Sequence, residues 1–207
     1  MRYITTIAIH SAQRLPYEKS YNDRQGVSMK LPGPQVISQL RSKLQFEAGR
    51  HLYGVLGSYQ QLERFMRNDL AAARDPADNK FPTPINLNKA LLECIDDAAL
   101  RDLIDREAKR PQWISQRLND EVAKLLQSSL RQTPFLILYQ IELMFAYDLE
   151  FSTLRRYASN QNRILLLLPG QRSGEQVVLF HEAAADFQRN LPASVIADNH
   201  LWELADE

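Results

Sequence analysis

The residues best suited to chemistry fall in two short stretches. The octet Gly54-Val55-Leu56-Gly57-Ser58-Tyr59-Gln60-Gln61 follows one apolar run and precedes an amphipathic one. A phosphate-cradling loop uses that arrangement, with glycines for a tight turn, a lysine against the phosphate charge and a hydroxyl for Mg²⁺. Here the first glycine and an inner Gly57-Ser58 are present, while Tyr59 replaces the second glycine, Gln60 the lysine and Gln61 the hydroxyl residue. Backbone N–H groups at the start of the following helix can still attract an anion. Gly54, Gly57, Ser58, Gln60 and Gln61 are therefore the candidate nucleotide contacts, although tight binding of Mg·ATP is not expected. The same octet also reads as an ordinary strand–turn–helix corner.

The second stretch is Phe135-Leu136-Ile137-Leu138-Tyr139-Gln140-Ile141-Glu142, an apolar run after Pro134 that closes on a carboxylate. In a nucleotide-binding sheet such a strand ends by presenting acids to a metal and a phosphate, but Tyr139 and Gln140 stand where acids would be needed. Glu142 is the one candidate catalytic residue, able to polarise a water. Without a metal-binding acid, an activated phosphate for it to act on is missing, and a hydrogen bond or ion pair at the strand end is the plainer reading. His10, His51, His181 and His200 are far apart in sequence and show no zinc spacing, so no metal site is expected. Cys94 falls on an apolar helix face and is expected in the core. Arg155, Arg156 and Arg163 read as solvated charges or partner contacts.

Several elements must position these groups. Val36, Ile37, Leu40, Leu44 and Ala48 recur at helical spacing, predicting a helix from Gln35 to about Gly49. His51–Gly57 reads as a buried strand, and Ser58 as the N-cap of a helix carrying Leu62, Phe65, Met66 and Leu70. Residues 74–84 are rich in helix breakers and form a loop, followed by a short strand ending in Asn86 and Asn88. Two leucine-rich helices come next, the second after Pro111. The 134–141 strand, a helix over 151–158 and an apolar strand at 163–168 follow, the last stopped by Pro169-Gly170. Gln176–Phe180 is expected to be a further strand, near an edge, and residues 183–207 to be part helix, part loop. Strands alternating with helices predict a three-layer α/β fold with a mainly parallel sheet. Residues 1–34 read as an arm or extension, with 35–207 as the domain.

Composition narrows the function. Of 207 residues, 44% are hydrophobic and 24% charged, which supports a real core. Lys plus Arg equal Asp plus Glu at 25 each, whereas a nucleic-acid binder usually carries a basic excess. The single cysteine excludes an internal disulfide and fits a reducing cytosol. No apolar stretch approaches the roughly 20 residues that span a bilayer, and the N-terminal residues make a poor signal peptide. A cytoplasmic protein is expected.

Three stretches, in order, carry a resemblance. They are the glycine turn Gly54–Gln61; Ile85-Asn86-Leu87-Asn88 before a leucine-rich helix; and Phe135–Phe145 followed by Leu154–Ser159 and Ile164-Leu165-Leu166-Leu167-Leu168-Pro169-Gly170. Over residues 35–190 the chain resembles the small BrxF-type P-loop proteins of bacteriophage exclusion (BREX) defence systems. That family has an Asp-Asn-Ile-Glu strand end, a Ser-Arg-Asn segment and a final strand closing on Trp-Pro-Gly. Here Tyr139 replaces the family's acid, Gln60 its lysine, and Asn160-Gln161 stand where it shows Arg-Asn. The resemblance implies a P-loop NTPase-type fold with a degenerate nucleotide site. It further implies a pseudo-ATPase that scaffolds or regulates a defence complex, meeting a larger ATPase, a phosphatase-like subunit or a methyltransferase. No cofactor is expected. The rival expectations are an ATP- and Mg²⁺-using subunit completed by a partner, and a DNA-contacting subunit. A homo-oligomer through the leucine-rich helices is also compatible with the sequence.

Overall fold

Three apolar runs form the middle of one sheet in the computed structural model, which describes residues 30–206 apart from Ala108 and Ala193. The expected N-terminal extension over residues 1–28, His10 included, lies outside the described residues. The first run is β1 (Leu52–Gly57), buried along its whole length. Two residues, Ile85–Asn86, make β2; the other two runs are β3 (Phe135–Tyr139) and β4 (Arg163–Ser173). Further strands are β5 (Gln176–Leu179), β6 (Arg189–Leu191) and β7 (Leu201–Glu203). The order is β2-β3-β4-β1-β7, parallel throughout, with β5 and β6 added antiparallel to the far half of β4. A strand apolar at every position suits a sheet covered on both faces, and this sheet is covered so.

Alternation along the strands splits the core in two. Tyr53, Val55, Ile137, Leu165 and Leu167 face α1 (Gly33–Leu44) and the helix that starts with α2 (Tyr59–Arg64). Leu52, Leu56, Leu136, Leu138, Leu166 and Leu168 face the other way. There they meet α3 (Leu87–Glu93), α4 (Asp97–Glu107), α5 (Pro111–Gln132), α6 (Glu142–Ala146) and α7 (Phe151–Tyr157). The chain is thus a mixed α/β fold with a largely parallel sheet. Among the described residues no helix is long and apolar enough to cross a membrane.

Several expectations need correction. α1 starts at Gly33 and ends at Leu44, and Leu31, assigned to the arm, is buried and bridges Leu204 beside β7. The prolines flanking Gly33 set the early start, since proline suits a helix's first turn. Pro169-Gly170 does not stop β4. Pro169 pairs with Gly57, accepts a hydrogen bond from Phe180 N–H, and the strand runs on to Ser173. Gly170 makes this continuation feasible, because a Cβ there would lie 2.6 Å from the Val178 carbonyl oxygen. β5 is therefore interior to a three-stranded ribbon and not an edge. The tail contains two short 3₁₀ turns and, unexpectedly, two strands, the antiparallel β6 and the parallel β7. Cys94 is exposed at the C-cap of α3, where the helix stops before its apolar face can bury the thiol. Arg163 is a fold clamp: its guanidinium donates to the carbonyls of Leu44 and Phe46 at the end of α1, at 3.2 and 3.1 Å.

Candidate functional site

The β1–α2 corner is tighter than a phosphate loop. Gly54 to Gly57 all belong to β1, hydrogen-bonded between β4 and β7, and Ser58 is the single linking residue before α2. Gly54 serves packing: a Cβ there would stand 2.6 Å from a Leu201 methyl and 2.9 Å from an Ile196 methyl. Ser58 caps the helix as expected. Its Oγ accepts from Gln61 N–H at 3.1 Å, and Gln61 Oε1 accepts from Ser58 N–H at 2.7 Å, a reciprocal capping box. Tyr59 N–H donates to Glu182 Oε2 at 3.1 Å. The helix start, where N–H groups and the macrodipole favour an anion, is thus supplied with an acceptor from the turn after β5. Gln61 Nε2 also donates to Asp206 Oδ1 at 2.9 Å.

Glu142 lies at the same carboxyl edge of the sheet. β3 ends at Tyr139, Gln140 takes a left-handed conformation (φ 51°), and Glu142 opens α6 instead of ending the strand. Its carboxylate accepts from Tyr59 Oη at 3.0 Å and from Asn88 Nδ2 at 2.7 Å. Asn88 Oδ1 in turn accepts from Leu143 N–H at 3.1 Å, and Asn88 N–H donates to the Gln140 carbonyl at 3.1 Å. Asn86 caps α3 by accepting from Lys89 N–H and donates its amide to Gln140 Oε1. One chain of polar contacts, Glu182–Tyr59–Glu142–Asn88–Gln140–Asn86, therefore laces together the ends of β1, β3 and β2. Partial desolvation, then the Glu142 hydrogen bond and the Glu142 and Glu182 charges, push the Tyr59 phenol far above its usual range. Tyr59 stays a hydrogen-bond donor at every ordinary pH.

Beside the corner lies a cleft of about 230 Å³, with Lys30, Gln60, Arg64, Gln171, His181 and Glu203 among its lining residues. Its charges are mixed. Lys30 bonds to Asp206 at 2.9 Å, which raises its pKa, and stands 3.9 Å from the buried Glu203 carboxylate. His181 Nδ1 is buried with no hydrogen-bond partner among the described residues. Arg172 N–H donates to Glu203 Oε2 at 3.3 Å. Gly57, Ser58, Gln60 and Gln61 line this cleft together, whereas Gly54 and Glu142 do not. No group of three or more His, Cys, Asp or Glu is placed to hold a metal among the described residues.

Asn86, Asn88, Gln140 and Glu142 stand out in the sequence, but their connection does not. Tyr59 stands out only as a replaced glycine, and nothing in the local sequence marks Glu182. The contacts that join them span 52 to 123 residues, and no local spacing encodes them. In comparison with known proteins, no family model, curated protein or solved structure matches the chain.

Proposed function

We propose that the chain is a non-catalytic α/β scaffold of the P-loop type that works by protein–protein contact. The resemblance supplies the setting: a regulatory or assembly subunit of a bacterial anti-phage defence complex with a larger ATPase, a phosphatase-like subunit or a methyltransferase. The observation that carries this reading is the closed helix start at Ser58–Gln61. The N–H groups of Ser58, Tyr59 and Gln61 donate to Gln61 Oε1, Glu182 and Ser58 Oγ, so an entering phosphate must displace the chain's own acceptors. The parallel sheet, with this corner and the Glu142 turn on one edge, supports the P-loop-type frame. Glu142 fits a structural role, since both its oxygens accept hydrogen bonds. Arg163, bound to the carbonyls at the end of α1, is taken away from the DNA-contacting alternative.

The test is co-expression of the tagged full-length chain with the products of its neighbouring genes, followed by capture and an ATPase assay with the chain alone. A stoichiometric companion and a rate of hydrolysis unchanged by Glu142→Gln support the proposal. A chain that elutes alone and hydrolyses ATP at a rate abolished by Glu142→Gln overturns it.

A further inference from the structure

A second hollow opens on the same edge, over the opposite core from Asn88 and α6. It is a crevice of about 470 Å³ between the helix that follows β1 and the ends of β3 and β4. In open α/β sheets, ligands settle outside the carboxyl ends of parallel strands, and this volume lies within the range of small-molecule pockets. Leu62, Leu167 and Pro169 form an apolar floor, while Tyr59, Met66 and Tyr139 supply flat or polarisable walls. Tyr59, Tyr139 and Gln140, the residues that stand where a nucleotide site would need glycine or acids, are the ones that build it.

Two features set the crevice apart from a packing gap. The helix beneath it changes to π geometry over Phe65–Leu70, and this stretch carries Met66 and Arg67 into the lining. Such single-turn π segments gather at functional sites. Gln140 is held at φ 51° by Asn88 on its carbonyl and Asn86 on its side-chain oxygen. That bond occupies the amide oxygen and leaves the amide NH₂ as the group Gln140 can offer. Tyr59 is 45% exposed, yet its ring is fixed by the hydroxyl's bond to Glu142. The charged residues of the lining, Glu63 and Arg67, neutralise each other as an i,i+4 pair.

The geometry points to a binding site for a small, uncharged, planar ring compound. Its face packs on Tyr59, Met66 and Tyr139, and an acceptor on its edge meets the Gln140 amide. Aromatic and thioether walls favour a flat ring, and the self-paired rim gives no uncompensated charge to attract an ion. This inference does not rest on the proposed function, because the phosphate corner and the crevice are separate hollows.

Three single-ring probes of different charge, benzamide, benzamidinium and benzoate, test it by ¹⁵N NMR titration of the full-length protein. Benzamide is expected to shift the amides of Met66, Arg67, Tyr139 and Gln140 with a Kd of about a millimolar, as a fragment of this size allows. Both ions are expected to bind at least about tenfold more weakly, because nothing in the lining repays their desolvation. Met66→Trp, which fills the crevice, is expected to abolish the shifts, and Gln140→Gly to weaken binding several-fold without straining the backbone. Absence of benzamide shifts up to about 10 mM, shifts located elsewhere, or tighter binding of either ion overturns the proposal. So does benzamide affinity that survives both variants.

Discussion

Replacing Asn88 by alanine cuts the lacing between α3 and the Glu142 turn at its centre. Two bonds are lost: Nδ2 to the Glu142 carboxylate at 2.7 Å and Oδ1 from Leu143 N–H at 3.1 Å. A hydrogen bond to a charged group contributes about 1.5–3 kcal/mol and a neutral one about 0.5–1.5 kcal/mol. Both sit at a half-buried position, where water can replace part of each, so the lower halves apply and the loss is about 2.5 kcal/mol. Alanine returns about 0.5 kcal/mol through better helix propensity at the second position of α3. The net cost is about 2 kcal/mol, equivalent to a fall of roughly 4–8 °C in Tm for a chain of this size. Asn88→Asp is the discriminating companion: it keeps the acceptor for Leu143 N–H but turns a carboxylate towards Glu142. Aspartate is therefore expected to be at least as destabilising as alanine at pH 7 and to recover as the introduced carboxylate protonates. Paired thermal and urea unfolding at pH 7 and pH 4 measure this. A cost below about 0.5 kcal/mol for alanine, or an aspartate variant as stable as the parent, would refute the reasoning.

Other perturbations have equally definite outcomes. Gly170→Ala forces a Cβ to within 2.6 Å of the Val178 carbonyl, so the β4–β5 ribbon must part; an overpacking cost of about 1–3 kcal/mol is expected by urea unfolding, against near-neutrality for exposed Gln171→Ala. Burial, with the Lys43 and His51 charges adding to it, lowers the pKa of His200, whose ring packs 4.8 Å from that of Tyr53. The unfolded chain therefore takes up a proton at His200 first as pH falls, and stability drops below about pH 6.5; His200→Gln should flatten that part of the stability–pH curve, and an unchanged slope would reject the assignment. Burial pushes the Tyr53 phenol up to about 12, so the unfolded chain loses that proton first and stability falls as pH rises above about 10. Tyr53→Phe should lessen this alkaline loss in unfolding followed from about pH 9 to 12.

The middle of the sheet was legible because its strands declare themselves. Runs such as Ile164–Leu168 and Phe135–Leu138 have no polar face to place in water, and such runs fit only a doubly covered parallel sheet. Ser58 was legible as a cap, since a hydroxyl before a helical pattern has one local use. What escaped was set by partners distant in sequence. β7 is three residues long and contains a glutamate, Glu203, whose burial depends on Arg172 N–H and nearby Lys30. Pro169-Gly170 reads as punctuation, but here glycine admits a neighbouring backbone and proline presents its carbonyl to Phe180. Of the site, the individual residues Glu142, Asn86 and Asn88 were visible, while the occupants of the helix start were not. Glu182 and Asp206 reach it from 123 and 145 residues away.

The closed helix start at Ser58–Gln61 is tested most directly by calorimetric titration of the full-length protein with Mg·ATP, and with Mg·ADP alongside. No saturable heat is expected at nucleotide concentrations up to about a millimolar, because the chain's own oxygens already accept from the Ser58, Tyr59 and Gln61 N–H groups. Saturable binding with a Kd of about a micromolar would contradict it.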